Sequence, residues 1–272
     1  MAGILVTHGL IHIMGFIKAF NLFPINQFTQ SISKLQGVFW IATALLFLIV
    51  TVIFLMKQGW WWAPALLAII LSQTLITMSW QDAKTGTIPN LIIFLAVIIG
   101  FALWNFDVKV NQETRDLLSE NITDEQVITE DLIKELPAPV QRWLTYSGII
   151  GQEPIHTVYL RQKGFMKLKP DQKGWIEAEA EQYFTLNKPA FIWRVKTSMM
   201  GLPVVGRDLF TEGQGAMQIK LAGLIPVVNV TDNRKINEST AQRYLGEIIW
   251  FPSAALSPYI KWEPIDDRSA KA

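Results

Sequence analysis

The chain has 272 residues, half of them hydrophobic, with a formal net charge of +1 and no cysteine. That length allows about two structural units, each able to bury a core. The absence of cysteine excludes disulfides, thiolate metal sites and thiol catalysis together, and no Lys/Arg stripe interleaved with aromatics points to nucleic acid.

The charges are unevenly placed. The first 106 residues carry Lys18, Lys34, Lys57 and Lys84 against Asp82 alone, which leaves 20 of the 24 basic and 22 of the 23 acidic residues to the rest. The near-neutral total therefore hides a +3 half and a −2 half. Residues 35–56, 58–81 and 88–106 are uncharged runs, each longer than the roughly 18 residues a helix needs to span hydrocarbon. An apolar run over residues 4–20 precedes them. It lacks the basic leader and cleavage site of a signal peptide and reads as a retained helix. Four spans are expected over residues 1–106, with Trp60, Trp61, Trp62, Trp80 and Trp104 marking interfaces with the lipid bilayer. Lysines flank both sides almost equally, so charge does not set the orientation.

His8 and His12 lie four residues apart on one face of the first run. Ionisable groups at such depth are costly, which admits a proton-relay pair or two ligands to one metal. Hydrogen bonding to the backbone or to the Ser72, Gln73 and Thr74 cluster is the plainer expectation. Residues 80–90, with Gly86 and Pro89, read as a turn leading into the fourth span, with Asp82 and Lys84 solvated.

Residues 107–136 form an acidic linker with nine carboxylates against Lys109, Arg115 and Lys134 as far as Glu135. Thr123 and Gln126 stand at capping-box spacing ahead of Val127, Leu132 and Ile133, which predicts a surface helix. A shorter helix around residues 140–146 should end at Gly148. Residues 137–272 then read as a β-rich soluble domain. Glu177, Glu179 and Glu181 alternate with Ile176, Ala178 and Ala180, and similar alternation runs through Phe191, Trp193, Val195 and through Met217, Ile219, Leu221. A helix is predicted over residues 239–250, capped by Ser239 with Gln242, carrying Ala241, Tyr244, Leu245 and Ile248 on its apolar face and stopped by Pro252. The fold class expected is a multi-pass α-helical membrane region plus an α+β soluble domain, with a curved antiparallel, half-barrel-like sheet holding a packed helix.

Four blocks carry a resemblance. They are Leu-Pro-Ala-Pro-Val-Gln-Arg-Trp-Leu at 136–144, Gly-Leu-Pro-Val-Val-Gly-Arg-Asp at 201–208, Arg-Tyr-Leu-Gly-Glu-Ile-Ile-Trp-Phe-Pro at 243–252 and Leu-Ser-Pro-Tyr-Ile-Lys-Trp-Glu-Pro at 256–264. As a set they resemble an uncharacterised bacterial family, a domain of unknown function attached to membrane spans. The resemblance implies an inner- or plasma-membrane protein whose soluble domain lies outside the cytoplasm, and a chain truncated at its C-terminus relative to members that continue with more strands. The run Lys-Pro-Ala-Phe-Ile-Trp-Arg-Val at 188–195 also resembles a strand of the LolA/LolB lipoprotein carriers. That second resemblance implies an open half-barrel that shields acyl chains.

Arg207, Asp208, Arg243 and Glu247 form a candidate head-group clamp, because guanidinium forks suit phosphate and carboxylate. The alternative is an ordinary ion pair of Arg243 with Glu247 one helical turn on. Ala178, Ala180, Trp193 and Trp250 are the candidate lining of an apolar pocket beside them. His156 is expected to be structural. No phosphate loop, zinc-protease helix or nucleophile elbow occurs, and no cofactor is expected. Three functions stay open: a non-catalytic membrane-tethered module for a lipidic or other apolar ligand, a module docking a protein partner, and a membrane enzyme with an unfamiliar site. An exposed aromatic patch around Trp250, Tyr259 and Trp262 would favour the second.

Overall fold

The computed structural model describes residues 1–25, 29–119, 127–167 and 171–272. The chain divides into two compact units, Met1–Asn105 and Phe106–Ala272.

In the first unit the uncharged runs fold as helices, the only solution that satisfies every backbone group within one apolar segment. These are α1 (Ala2–Ala19), α2 (Lys34–Leu55), α3 (Trp62–Met78), a short α4 (Trp80–Ala83) and the start of α5 (Thr87–Ser119). Ser33 caps α2 in a full capping box: its hydroxyl accepts from the Gln36 amide, and the Gln36 side chain accepts from the Ser33 amide. A Cβ added at Gly15 would fall 2.3 Å from the Trp40 ring, so glycine is what lets α1 lie close on α2. Leu5, Phe47, Val50, Ala65, Ala68, Ile93 and Val97 form the buried core of this unit.

Among the described residues, three helical stretches are long and apolar enough to cross a membrane, namely Ala2–Ala19, Lys34–Leu55 and Trp80–Ser119. The remaining apolar run was expected to span as well. It gives a shorter helix of 17 residues, because Lys57 turns the chain at φ 56° and the residues up to Trp61 do not enter α3. The turn expected over residues 80–90 lies between two helical segments. Trp80–Ala83 is helical, Lys84–Gly86 forms a 3₁₀ turn and α5 begins at Thr87. Asp82 does not serve solvent alone: its carboxylate accepts from the amides of Thr29 and Gln30 and from the Thr29 hydroxyl, at 2.7–3.0 Å.

In the second unit residues 107–119, the start of the stretch read as an acidic linker with a helix, continue α5, with Val110 buried. The Thr123–Gln126 pair lies outside the described residues. Among the described residues that follow are one turn, α6 (Glu130–Ile133), and then α7 (Ala138–Tyr146), which ends before Gly148 at φ 73°. Ile128, Ile133, Val140, Leu144 and Ile149 gather around these turns with Ala255.

Among the described residues, six strands form one antiparallel meander in chain order: β1 (Thr157–Met166), β2 (Ile176–Thr185), β3 (Ala190–Met199), β4 (Leu202–Thr211), β5 (Gln214–Leu221) and β6 (Ile225–Thr231). The first and last strands do not pair, so the sheet is open rather than a barrel. The register places Ala178, Ala180, Gln182 and Phe184 of β2 beside Thr197, Val195, Trp193 and Phe191 of β3 on one face. Val204, Gly206, Asp208 and Phe210 of β4 continue that face. Helix α8 (Arg234–Glu247) covers the end of it where Phe184, Phe191 and Phe210 meet Tyr244, Ile248 and Phe251. The opposite face carries Ile192, Arg194, Val205 and Arg207, and residues 106–119 lie along it.

Helix α8 starts earlier than expected. Asn233 is its N-cap, accepting from the Ile236 amide at 3.0 Å, and Ser239 sits inside the helix with its hydroxyl turned back to the Ile236 carbonyl. After Glu247 the helix tightens into 3₁₀ turns at Ile248–Trp250 and Pro252–Leu256. A two-stranded ladder, β7 (Glu263–Pro264) with β8 (Ala270–Lys271), lies near the end of the chain.

Candidate functional site

The period of two in β4 decides how the expected clamp is arranged, because neighbours on a strand point to opposite faces. Arg207 and Asp208 therefore separate. Asp208 turns to the face covered by α8, where its carboxylate accepts from Arg243 Nη1 at 2.8 Å. Arg243 donates from Nε to Glu247 at 3.2 Å and from Nη2 to Gln182 at 3.3 Å, and Gln182 in turn donates to Glu247 at 2.8 Å. The guanidinium also lies 5.0 Å from the ring centres of both Phe191 and Trp193, whose indole N–H donates to Gln162 at 2.9 Å.

This is a closed network. Two carboxylates already satisfy one guanidinium, so its net charge is negative and it does not present a free fork to an anion. Burial pushes the Asp208 carboxyl above its ordinary value, against the opposing pull of the Arg243 and Arg207 charges. Arg207 takes no part in the network. It is buried on the other face, donating from Nη2 to Glu113 of α5 at 2.7 Å. Arg207 Nε and Glu113 Oε2 have no hydrogen-bond partner among the described residues.

The expected pocket lining also disperses. Ala178 and Ala180 are buried, but they pack with Val195, Met166 and Trp193 further along the face, away from α8. Trp250 is exposed in the 3₁₀ turn after α8. Of the expected site residues, Asp208, Arg243, Glu247 and Trp193 come together, with Ala178 and Ala180 adjoining them through Trp193; Arg207 lies on the opposite face and Trp250 is exposed.

An apolar cavity of about 620 Å³ lies instead at the hairpin end of α8. Phe210, Ala241, Tyr244, Leu245, Tyr259 and Ile260 line it, with Lys188, Pro189 and Glu212 from the two hairpins. Its base is the aromatic cluster, in which Tyr244 donates its hydroxyl to the Thr185 carbonyl at 3.1 Å. A second recess of about 370 Å³ is lined by Arg161, Lys163, Glu179, Glu181, Arg194 and Lys196. There the charges pair among themselves, Glu181 with Arg161 and Arg194, and Lys163 with Glu177 and Glu179. His156 stands outside both cavities, its Nδ1 3.2 Å from Asn187 Oδ1.

The four sequence blocks converge on this region. Asp208 of the second pairs with Arg243 of the third, which also pairs with Glu247 one turn on. Trp143 of the first and Trp262 of the fourth share a core with Ile133, Leu144 and Ala255. Residues 126–272 match a family described as a family of unknown function (DUF6544). The chain belongs to this family. No curated protein and no solved structure matches it. The DUF6544 portion thus contains the network, the apolar cavity and the whole sheet.

In the first unit, both His8 Nε2 and His12 Nε2 reach the Ser72 hydroxyl, at 3.2 and 2.9 Å. The position between the two rings where a shared ion would sit is taken by that oxygen. Among the described residues no group of three His, Cys, Asp or Glu is placed to hold a metal ion. Gln182 and Glu113 were not anticipated from the sequence. A glutamine in phase with Ala178, Ala180 and Phe184 was a readable signal of a buried polar contact. Glu113 lay in a stretch whose acidity read as linker.

Proposed function

We propose that the apolar N-terminal helices anchor the chain in a membrane, and that the family domain holds a lipidic or other apolar ligand without transforming it. The observation that carries this reading is the cavity of about 620 Å³ between α8, two hairpins and residues 259–260. Its size suits a small-molecule site, and its lining is aromatic and aliphatic with Lys188 and Glu212 among the few polar groups. An acyl chain fits such a lining, in keeping with the implication of the carrier-like strand, which becomes β3. In this reading the domain lies outside the cytoplasm.

The test uses the full chain in detergent with a photoactivatable fatty acid, mapping adducts by peptide mass spectrometry. Adducts are expected on the peptides containing Tyr244 and Tyr259. Ala241→Trp fills the cavity and should remove them, whereas Gln242→Trp adds the same ring to the exposed side of α8 and should not. Equal labelling of a folded Ala241→Trp variant and its parent would remove the reading.

One observation favours a docking module instead. Ile249, Trp250 and Tyr259 are exposed, with Trp250 at 55% and Tyr259 at 65%. A protein partner lost on Trp250→Ala, with fatty-acid labelling unchanged, would move the function to that patch.

A further inference from the structure

The turns of a meander alternate between its two ends, and here the two ends differ in chemistry. At one end the β4–β5 turn is Glu212-Gly213, both residues at positive φ (52° and 76°). At the other, the β3–β4 turn repeats the same geometry with Met200-Gly201 (52° and 78°). A two-residue turn of this kind favours Asn, Asp or Gly at its first position. Methionine satisfies neither the backbone nor a core there: Met200 is 96% exposed. The other turns of that end match it. The β1–β2 hairpin exposes Phe165 and Trp175, with Lys167 Nζ 5.0 Å from the Trp175 ring, and the β5–β6 turn exposes Leu224 and Ile225.

Residues 106–119 show which end this is. Phe106 lies under Lys220 and Asp107 pairs with Lys196, both close to the Met200 and Leu224 turns. Leu117, ten residues on, lines a recess with Lys188 and Glu212 of the opposite turns. The chain therefore enters the domain at the apolar end, and the uncharged run of residues 88–106 in the same helix stops there.

We propose that the Phe165/Trp175, Met200 and Leu224/Ile225 turns form a lipid-contacting edge that dips into the bilayer interface. Exposed aromatic and aliphatic tips fringed by Lys167, Lys196 and Lys220 have the composition of an interfacial contact. The occupant is a lipid surface rather than a protein, because the edge sits where the chain leaves an apolar segment long enough to cross one. The proposal rests on the anchoring part of the function above and is independent of the cavity.

The chain has no cysteine, so single cysteines can be introduced and spin-labelled one at a time. Met200→Cys, Ile225→Cys, Glu212→Cys and Leu45→Cys are all exposed positions. The full chain is placed in phosphatidylcholine–phosphatidylglycerol vesicles, and collisions with oxygen and with a water-soluble nickel chelate are read. Labels at 200 and 225 should be several-fold less accessible to nickel than the label at 212, and more accessible to oxygen. Equal nickel accessibility at 200 and 212 overturns the proposal, as does shielding of 200 from both reagents, which would mean protein contact. The Leu45 label separates the two readings. A wet Leu45 removes the anchoring and this proposal with it, and a lipid-facing Leu45 with a wet Met200 removes the proposal alone.

Discussion

Arg207 and Asp208 are consecutive residues whose charges serve opposite faces of one sheet, the first held by Glu113 of α5 and the second by Arg243 of α8. Each pairing fixes a helix to its own face of β4. Arg207 is the more buried cation, its side chain 6% exposed against 28% for Arg243. Truncating it leaves the partly buried Glu113 carboxylate with the half-exposed Lys109 ammonium 3.8 Å away as its remaining cation among the described residues. Arg207→Met should lower the stability of the domain by about 3 kcal/mol. The double variant with Glu113→Gln should recover part of that loss, because no charge is then stranded. Urea midpoints of the full chain in detergent, read by a probe on the sheet, check both.

The Asp208 network makes a prediction with a defined sign. Burial raises its native carboxyl above the unfolded value of about 3.9. Between those two values the native state binds the proton more readily than the unfolded state. This group's contribution to stability is therefore greatest at low pH and falls as pH rises through the raised value. Glu181 works the other way: burial raises it, but hydrogen bonds and charge from Arg194 outweigh that and hold it low, so its contribution is lost as pH falls. The difference between wild type and Asp208→Asn isolates the first group. The variant should gain on wild type as pH rises from about 4 towards neutrality. A difference that is flat with pH would count against the buried carboxylate.

How far the sequence could be read follows from which interactions are local. The uncharged runs and the alternation in β2, β3 and β5 are local signals, and they announced the helices and the antiparallel sheet. The start of α8 was misplaced because Ser239 and Gln242 imitate a cap inside the helix, while Asn233 carries the real one. The charges of the expected clamp divide between two faces for a similar reason. Spacing along α8 correctly joined Arg243 to Glu247, but adjacency along β4 cannot join Arg207 to Asp208 on one face. The apolar cavity was out of reach, since Lys188, Glu212 and Ile260 meet only through turns distant in sequence.

The approach of α8 to β5 passes over Gly215. An added Cβ there would fall 2.5 Å from Thr240 Oγ1 and 2.6 Å from the Ile236 carbonyl oxygen. The Gly215 amide donates to Asn237 at 2.7 Å, so backing away would also strain a hydrogen bond. Gly215→Ala should cost about 1–3 kcal/mol through overpacking. Gly174→Ala, which meets nothing within 4 Å, is the matched control. Chemical unfolding of both in parallel decides the matter, and a Gly215→Ala midpoint equal to that of Gly174→Ala would mean α8 does not approach this closely.

Ser72 holds the buried polar cluster of the first unit together. His12 Nδ1 donates to the His8 carbonyl at 2.8 Å, so its Nε2 must accept, and the Ser72 hydroxyl is the donor at 2.9 Å. His8 Nε2 then donates to Asn90 Oδ1 at 2.9 Å, and Asn90 Nδ2 donates to Ser72 Oγ at 2.9 Å and to Gln73 at 3.0 Å. His8 Nδ1 has no hydrogen-bond partner among the described residues. Ser72→Ala removes the one hydroxyl on which both rings converge, stranding an imidazole acceptor and an amide donor among apolar helices. The expected loss is about 1–2 kcal/mol, the scale of polar contacts between apolar helices. Thr74→Ala removes an exposed hydroxyl that only bonds back to its own helix at Ile70, and should be close to neutral. Thermal denaturation of the full chain in detergent distinguishes them. If Ser72→Ala melts with Thr74→Ala, the histidines do not depend on the serine, and the tautomers assigned here are wrong.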